Sequence, residues 1–333
     1  MTTLEEVGAA AGVSRATVSR VINGSPRVSP EAKVAVERAI DKLGYSPNRA
    51  ARSLVTRRTD TVALVVSERE ESFFSEPFFA AVVRGLSTAT AREDKNLVIV
   101  LAQDGGEHER ARRFLRDDHV DGIVLMSLHG DDPLPRQLAR AGMPTVLIGR
   151  PLGRPTVPYV DADNRGGARS AVEHLLGLGR RSIATIAGPS SMCAGIDRLE
   201  GYRDALTAAG LRVADSLVEE GDFGQASGYA AMQRLLRRRP QLDGVFAASD
   251  TMAAGALQAL REAGRRVPDD VAVVGFDDFQ LAAHTVPALT TVRQPLDAMT
   301  EATADLLLRR IAGDGAALER VICPTTLVRR RSA

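Results

Sequence analysis

The chain has 333 residues, which is too long for one compact core and predicts two or three domains. Its formal net charge of +1 is unevenly distributed, since residues 1–60 hold ten Lys or Arg against six Asp or Glu, and the rest carries a net charge of −3. A basic N-terminal piece on a slightly acidic body indicates a polyanionic partner for that piece alone.

Several classes of protein are disfavoured by simple counts. The two cysteines, Cys193 and Cys323, form no CxxC or Cys/His cluster, which argues against a disulfide framework and a structural zinc. Residues 1–13 lack the basic and apolar regions of a signal peptide, and no apolar run approaches the ~20 residues that cross a bilayer. We therefore expect a cytoplasmic protein with no membrane partner, no metal and no cofactor.

The N-terminal part of the chain predicts three short helices. Residues 3–6, "TLEE", fit a capping box at the start of the first. Ser14 can cap a second helix that runs to about Asn23, where an Asn-Gly pair breaks it. Ser29, followed by proline, begins a third helix that ends near Gly44.

From Thr61 onward the pattern changes to strands alternating with helices. Seven apolar runs are continuous rather than alternating, as in strands buried on both faces of a parallel sheet: "TVALVVS", "LVIVLAQ", "GIVLMSL", "TVLIG", "SIATIAG", "GVFAAS" and "VAVVGFD". Several intervening helices end at a plausible C′ glycine, namely Gly142, Gly179, Gly210 and Gly264. The alternation predicts a doubly wound α/β architecture, which the Pro/Gly-rich "GRPLGRPTVP" divides into two lobes.

The sharpest local signal is "GVSRATVSRVING". A stripe at helical spacing can be buried, and it consists of Val13, Val18, Val21 and Ile22. The opposite side carries Arg15, Ala16, Ser19 and Arg20, with Thr17 at its margin. This is the pattern of a recognition helix, whose exposed N-terminal residues reach base edges in the major groove. An ordinary amphipathic helix with a solvated arginine face remains the alternative.

Residues 2–58 resemble the DNA-binding headpiece of the LacI/GalR family of bacterial repressors. The matching stretches are "TLEEVGAAAGVSRATVSRVING" and "VSPEAKVAVERAIDKLGYSPNRAARSL". The resemblance continues over nearly the whole chain, through "PFFAAVVRGL", "HVDGIVLMS", "AGPSSMCAGIDRLEGYRDAL", "EGDF", "FAASDTMAAGAL", "DVAVVGFDD" and "LTTVRQP". Several separate motifs in the right order are more specific than any single one.

The resemblance implies an all-α helix-turn-helix headpiece plus a hinge helix, joined to a two-lobed domain similar to periplasmic binding proteins of type I. The implied boundaries are 1–46 for the DNA-binding domain, 47–60 for the hinge helix and linker, 61–163 with 295–322 for the N-terminal lobe, and 164–294 with 323–333 for the C-terminal lobe. Eight to ten residues are too few for a stable isolated helix, so the hinge would become ordered on DNA. A basic tether with a stray leucine is the alternative.

Candidate contacts to operator DNA follow from the matching motifs. They are Thr3, Ser14, Arg15, Ala16, Thr17, Arg20, Asn23 and Arg27 in the headpiece, and Asn48, Arg49, Ala51, Arg52 and Leu54 in the hinge. Arg49 and Arg52 would face phosphates. Leu54 would act as an apolar wedge between base steps.

The two-lobed body is expected to clamp a small-molecule effector between its lobes. The candidate contacts carried over by motif are Phe78, Arg198, Phe223, Ser249, Asp277 and Gln294. Arg198 can donate two bonds to vicinal hydroxyls or a carboxylate, and Phe223 offers a stacking face. Each position also has a structural interpretation, since Asp277 could cap a loop and Phe78 could belong to the core.

Two departures from the family pattern concern the cleft. Many relatives have an acidic ligand contact after the fourth strand, but this chain has Gly149 and Arg150 there. The segment before "PFF", residues 67–76, is also longer than usual and adds Phe73 and Phe74, which suits a sugar larger than one ring. The chain stops without a leucine heptad tail, so we expect a homodimer.

The expected function is a ligand-responsive repressor of carbohydrate-utilisation genes, which a sugar inducer releases from a palindromic operator. A corepressor-dependent regulator that senses a non-sugar metabolite such as a purine is the alternative. Five scattered histidines without metal-ligand spacing, and no GxSxG, P-loop or GxGxxG motif, predict that the protein is not an enzyme. Binding to operator DNA would place it at the nucleoid.

Overall fold

A computed structural model describes residues 2–22, 25, 27–45, 58–102, 105–116, 119–315 and 317–333. The chain divides into two units, residues 1–59 and 60–333, and each is described by itself. No helix in these ranges is both long enough and apolar enough to cross a membrane.

The first unit contains three helices. They are α1 (Leu4–Ala11), α2 (Arg15–Ile22) and α3 (Pro30–Leu43). The Thr3 hydroxyl accepts a hydrogen bond from Glu6 N (3.3 Å), and the Glu6 carboxylate accepts one from Thr3 N (2.8 Å), which confirms the capping box. Ser14 and Ser29 cap the next two helices through Thr17 N (3.2 Å) and Ala32 N (3.2 Å), as predicted.

A small core holds these helices together. Val7, Val18, Val36 and Ala39 are buried, and the flanking apolar side chains, including Val13, Val21 and Ile22, pack against them. The predicted apolar stripe of α2 is therefore confirmed. Gly44 ends α3 with φ 57°, a left-handed conformation that glycine adopts without a steric penalty.

The second unit is built on two six-stranded sheets. Its strands are β1 (Thr61–Val66), β2 (Asn96–Leu101), β3 (Gly122–Met126), β4 (Thr145–Ile148), β5 (Tyr159–Ala162), β6 (Ile183–Ala187), β7 (Val218–Glu220), β8 (Gly244–Ala247), β9 (Ala272–Asp277), β10 (Thr290–Arg293), β11 (Arg320–Cys323) and β12 (Thr326–Val328). One sheet has the order β11-β5-β4-β3-β1-β2 and the other β12-β10-β9-β8-β6-β7. We call the parts built on them the first lobe and the second lobe.

All strand pairs are parallel except β10 with β12. The seven strands that the sequence predicted are all present. Five others were not predicted, namely β5, β7, β10, β11 and β12. Each has only three or four residues, and all but β12 contain a charged side chain that interrupts the apolar run. Such short strands depend on pairing with a neighbour, and a single sequence does not show that pairing.

Helices connect the strands. They are α4 (Glu70–Ser75), α5 (Pro77–Ala91), α6 (Gly105–Arg116), α7 (Leu134–Arg140), α8 (Asn164–Gly177), α9 (Cys193–Ala208), α10 (Gln225–Arg238), α11 (Asp250–Glu262), α12 (Gln280–His284) and α13 (Leu296–Ile311). The predicted C′ glycines Gly142, Gly179, Gly210 and Gly264 all have positive φ. The chain passes from the first lobe to the second before α8, returns before α13, and passes again between β11 and β12.

Both sheets reverse their strand order at a central strand, β1 in the first lobe and β6 in the second. Ligands of such sheets bind outside the carboxyl ends of the strands at this switch point. The segment at 67–76, which the sequence indicated as a loop, contains the helix α4 at the carboxyl end of β1. Phe73 anchors it, since its ring centroid lies 5.3 Å from that of the buried Phe79.

Candidate ligand cleft and DNA-reading helix

A cleft at the carboxyl ends of the strands receives side chains from both lobes. All six positions that the sequence predicted for ligand contact line it, namely Phe78, Arg198, Phe223, Ser249, Asp277 and Gln294. The cleft is also lined by residues that sequence reasoning missed, including Glu68, Ser72, Glu76, Ser127, Asp161, Asn164, Asp222 and Phe279. That a ligand contacts the predicted six stays a prediction, but one site contains them all.

Arg198 lies at the buried end of the cleft and is only 4% exposed. It donates from Nε to Asn164 Oδ1 (2.8 Å) and from Nη1 to the Ala248 carbonyl (2.6 Å). Its guanidinium carbon lies 3.7 Å from the centroid of the Phe276 ring, in cation–π geometry. No described residue accepts a hydrogen bond from Nη2, so the fixed guanidinium retains donors for a ligand.

Asp277 and Gln294 stand beside this arginine. Asp277 Oδ1 accepts a hydrogen bond from Gln294 Nε2 (2.6 Å) and lies 3.4 Å from Arg198 Nη1. Burial raises the pKa of the Asp277 carboxyl, and the charge of Arg198 and the Gln294 amide oppose that rise. The three side chains form a prearranged polar group that can both donate to and accept from a hydroxylated ligand.

Asp161 and Asn164, at the end of β5 and the start of α8, complete this group. Asn164 Nδ2 donates to Asp161 Oδ1 (3.0 Å), and both residues are buried. Burial raises the pKa of Asp161 to about 6, and a hydrogen bond from Ala162 N opposes the rise. An aspartate at the end of an apolar run is the signal that could have found them, but β5 itself was not predicted.

Ser249 and Phe223 line the cleft in another way. The Ser249 hydroxyl donates to the Phe223 carbonyl (2.8 Å) and accepts from Met252 N (3.0 Å), so it caps α11 and holds the 221–224 loop. The Phe223 ring lies 5.6 Å from the Arg198 guanidinium. Ser249 therefore stabilises the start of α11 and the neighbouring loop, in addition to its predicted contact with a ligand.

Backbone strain is concentrated at this cleft. Ser127, Phe223 and Asp277 line it and have positive φ angles of 55°, 72° and 117°. Non-glycine residues rarely adopt such angles, which persist where the surrounding structure enforces them and are enriched at ligand sites. The strain supports the assignment of this cleft as the functional site of the second unit.

Side chains tie the two lobes together beside the cleft. Arg150 Nη2 donates to Asp197 in the second lobe, at 2.6 Å from each carboxylate oxygen. His129 Nδ1 and Ser191 Oγ lie 2.9 Å apart, and Gly130 N donates to the Ser191 carbonyl (2.8 Å). After the fourth strand, where the family resemblance leads us to expect an acidic ligand contact, Gly149 lines the cleft and Arg150 joins the lobes.

The predicted DNA-reading residues of the first unit lie on one exposed stretch. Ser14, Arg15, Ala16 and Arg20 are exposed and Thr17 is half-buried. Arg15 pairs with Glu5 at 3.0 Å, whereas the Arg20 side chain has no hydrogen bond or ion pair with any described residue. Arg27 is exposed and Thr3 holds the capping box. Asn23, Asn48, Arg49, Ala51, Arg52 and Leu54 lie outside the described residues.

The fold and the cleft define a DNA-binding regulator with a ligand-binding body. Residues 3–48 match the lacI family of bacterial regulatory proteins, and residues 172–333 match a periplasmic binding protein-like domain. The chain belongs to the LacI family of bacterial transcriptional regulators.

Relatives are similar over the full length. The HTH-type transcriptional regulator CelR of Thermobifida fusca is 54% identical over 332 residues, which cover 99% of this chain and 98% of that protein. A solved structure of a transcriptional regulator CelR–cellobiose complex is 52% identical, with a TM-score of 0.81 and full coverage of both chains. The lac repressor dimer bound to operator and the anti-inducer ONPF is 27% identical, with a TM-score of 0.88 and coverage of 99% and 98%. The resemblance and the fold class expected from the sequence are confirmed.

Proposed function

We propose that this protein is a repressor that binds a palindromic operator as a homodimer and is released from it by a neutral disaccharide of the cellobiose type. The observation that carries the proposal is the prearranged polar group at the buried end of the cleft, where Arg198 keeps free donors beside Asp277 and Asn164. The 52% identical relative solved with cellobiose supports this ligand class.

The charges of the cleft favour a neutral ligand. Five carboxylates line it, from Glu68, Glu76, Asp161, Asp222 and Asp277. Against them stands one lining arginine, Arg198, which already neighbours Asp277. A sugar phosphate would meet repulsion from these carboxylates, whereas sugar hydroxyls can donate to them. Aromatic rings of Phe78, Phe223 and Phe279 offer apolar surface to the faces of a sugar ring.

DNA binding is assigned to residues 1–46, with 47–60 as hinge and linker. We propose that Arg20 reads a base edge, because it is exposed and unpaired among the described residues, and that Ser14, Arg15, Ala16 and Thr17 flank it at the DNA. Two-fold symmetry of a dimer requires an inverted-repeat operator. Contact with that operator would place the protein at the nucleoid, in the cytoplasm.

The effector-binding lobes are assigned to residues 61–163 with 295–322, and 164–294 with 323–333. We propose no catalytic role for the cleft, since the relatives that the chain matches are transcriptional regulators. Within the described ranges, no group of three or more His, Cys, Asp or Glu side chains is placed to hold a metal ion.

Calorimetric titration with cellobiose, glucose, a sugar phosphate and a purine tests the effector class, and the same ligands are added to a complex with operator DNA. We expect cellobiose to bind and to lower operator affinity. Coupling must be reciprocal, so operator should lower cellobiose affinity by the same factor. Binding of a purine that raises operator affinity would instead support the corepressor alternative, and turnover of cellobiose would contradict the non-enzymatic assignment.

A further inference from the structure

Residues 277–279, which we call the 277–279 turn, follow β9 at the edge of the cleft and have a strained backbone. Asp277 and Asp278 have positive φ angles of 117° and 62°. Asp277 and Phe279 line the cleft, whereas Asp278 does not. Residues other than glycine keep such angles only where their surroundings enforce them, so the contacts of this turn must hold it in place.

The Asp278 carboxylate is held between two arginines. Its Oδ1 accepts a hydrogen bond from Arg330 Nη2 (2.6 Å) and its Oδ2 one from Arg293 Nε (2.6 Å), and the side chain is only 5% exposed. Arg330 Nη1 also donates to the Leu289 carbonyl (2.9 Å), so the same guanidinium is tied to two segments of the second lobe. Hydrogen bonds between two charged groups are about twice as strong as neutral ones, so Arg330 can fix the middle of the turn.

Asp250, the first residue of α11, holds the end of the turn. It is fully buried, and its carboxylate accepts hydrogen bonds from Phe279 N (2.9 Å) and from the Thr291 hydroxyl. A Cβ on Gly275 would lie 2.5 Å from Asp250 Oδ1, so the glycine in β9 leaves the space that this carboxylate occupies. Asp250 itself does not line the cleft.

These contacts determine where the Asp277 carboxylate points. Its Oδ1 accepts from Gln294 Nε2 (2.6 Å), and its backbone carbonyl accepts from Gln294 N (3.3 Å). A relaxed φ at Asp277 or Asp278 would rotate this carboxylate away from Gln294 and Arg198, because the backbone angles set the direction of the side chain. The affinity for a ligand that contacts Asp277 should therefore depend on residues that the ligand does not touch.

We infer that Asp278, Arg330 and Asp250 are positioning residues, which fix the 277–279 turn so that Asp277 presents its carboxylate to a sugar hydroxyl. This inference rests on the proposed function, since it concerns the same cleft and the same class of ligand. It assigns part of the ligand affinity to three side chains outside the cleft, and Arg330 among them lies beyond β12, the last strand of the second lobe.

Calorimetric titration with cellobiose tests the role of Arg330. Arg330→Met should lower cellobiose affinity about three- to tenfold, because Asp278 loses one of its two charged donors. Arg330→Lys, which keeps the charge, should restore part of the affinity. Arg331→Met is the matched control, because Arg331 is an exposed neighbour, and it should leave the affinity unchanged.

Repeating Arg330→Met in an Asp277→Asn background separates positioning from a general weakening of the second lobe. In that background it should lower cellobiose affinity by about twofold or less, because the charged acceptor that the turn positions is already absent. Asp250→Ala should also weaken cellobiose binding, and Asp250→Asn, whose amide oxygen can still accept from Phe279 N, should restore most of it. Urea unfolding of each variant establishes that it is folded under the conditions of the titration.

Two results would overturn the positioning role and leave the proposed function intact. One is an unchanged cellobiose affinity in Arg330→Met, and the other is an equal loss of affinity for this change with and without Asp277→Asn. If the unaltered protein does not bind cellobiose, the proposed function fails and the positioning role fails with it.

Discussion

Arg150 of the first lobe and Asp197 of the second form an ion pair beside the cleft, with Nη2 at 2.6 Å from both carboxylate oxygens. Asp197 directly precedes Arg198 on α9, so this tie holds the helix that carries the central arginine of the cleft. Because the pair joins the two lobes, we infer that it stabilises their approach to each other and so assists the proposed ligand binding.

We expect Arg150→Met and Asp197→Asn each to weaken cellobiose binding, because either change removes the ion pair that joins the two lobes. Both side chains are partly buried, and a double-mutant cycle should give a coupling energy of about 0.5–3 kcal/mol in cellobiose affinity. The exchanged pair, Arg150→Asp with Asp197→Arg, should recover part of the affinity. Additive effects of the two single changes would show that the pair does not assist closure.

Arg198→Lys tests the central donor more cleanly than Arg198→Ala. Alanine would leave Asp277 buried without its counter-charge, and breaking a buried pair costs about 3–5 kcal/mol of stability. Lysine keeps the positive charge, but it cannot stack on the Phe276 ring or donate two hydrogen bonds in the fixed geometry of a guanidinium. We expect cellobiose affinity to fall about tenfold or more, at roughly 1.5–3 kcal/mol per charge-assisted bond, with effector-free operator affinity nearly unchanged.

The outcome that contradicts this role is specific. If Arg198→Lys binds cellobiose normally but loses operator binding, the arginine maintains the fold of the second lobe rather than the ligand site. Unfolding by urea, followed by circular dichroism, separates a loss of stability from a loss of binding.

Glu76 predicts a pH dependence of stability in the absence of sugar. Its pKa is raised from the ordinary 4.5 to about 7 in the folded chain, mainly by burial. Between these pH values the folded state therefore binds more protons than the unfolded state. The contribution of Glu76 to the free energy of unfolding is complete below pH 4.5 and is lost as the pH rises through about 7.

Glu76→Gln removes this titration. We expect it to raise the free energy of unfolding by on the order of 1–2 kcal/mol at about pH 8, with the difference closing below about pH 5. Urea unfolding of both proteins at the two pH values measures it, and Glu71→Gln on the exposed side of α4 is the control. An equal difference at both pH values would show that the substitution acts through packing instead.

Because the Arg20 side chain is exposed, we expect it to take part in base-specific DNA recognition. Arg20→Ala should weaken binding to the preferred operator by about 1–3 kcal/mol and relax base preference at one position in each half-site. Arg38→Ala, which removes the same charge from an exposed position of α3, should change affinity little and alike for all sequences. Fluorescence anisotropy with a set of operator variants at one salt concentration distinguishes these outcomes, and equal effects of the two changes would exclude base reading by Arg20.

Features that depend on neighbours along the chain could be predicted from the amino-acid sequence. Capping by Thr3, Ser14 and Ser29 was predictable because a cap involves residues only three positions apart. Seven strands were predictable because each carries a continuous apolar run, which burial on both faces explains for all of them except the edge strand β2. The six ligand positions were predicted from family motifs in a fixed order, and all six line one cleft in the structure.

Contacts between groups that are distant in the chain could not be predicted, because they depend on the tertiary fold. Asp161 lies at the cleft because the short strand β5 pairs with β4 and β11. The sequence does not predict β5, since the charge of Asp161 interrupts its apolar pattern. Arg150 forms its ion pair with Asp197, and Glu76 lies beside Thr251, only because the two lobes approach each other. Local propensity carries no information on such partners, because their contact energies arise between segments that are far apart in the chain and close together only in the folded state.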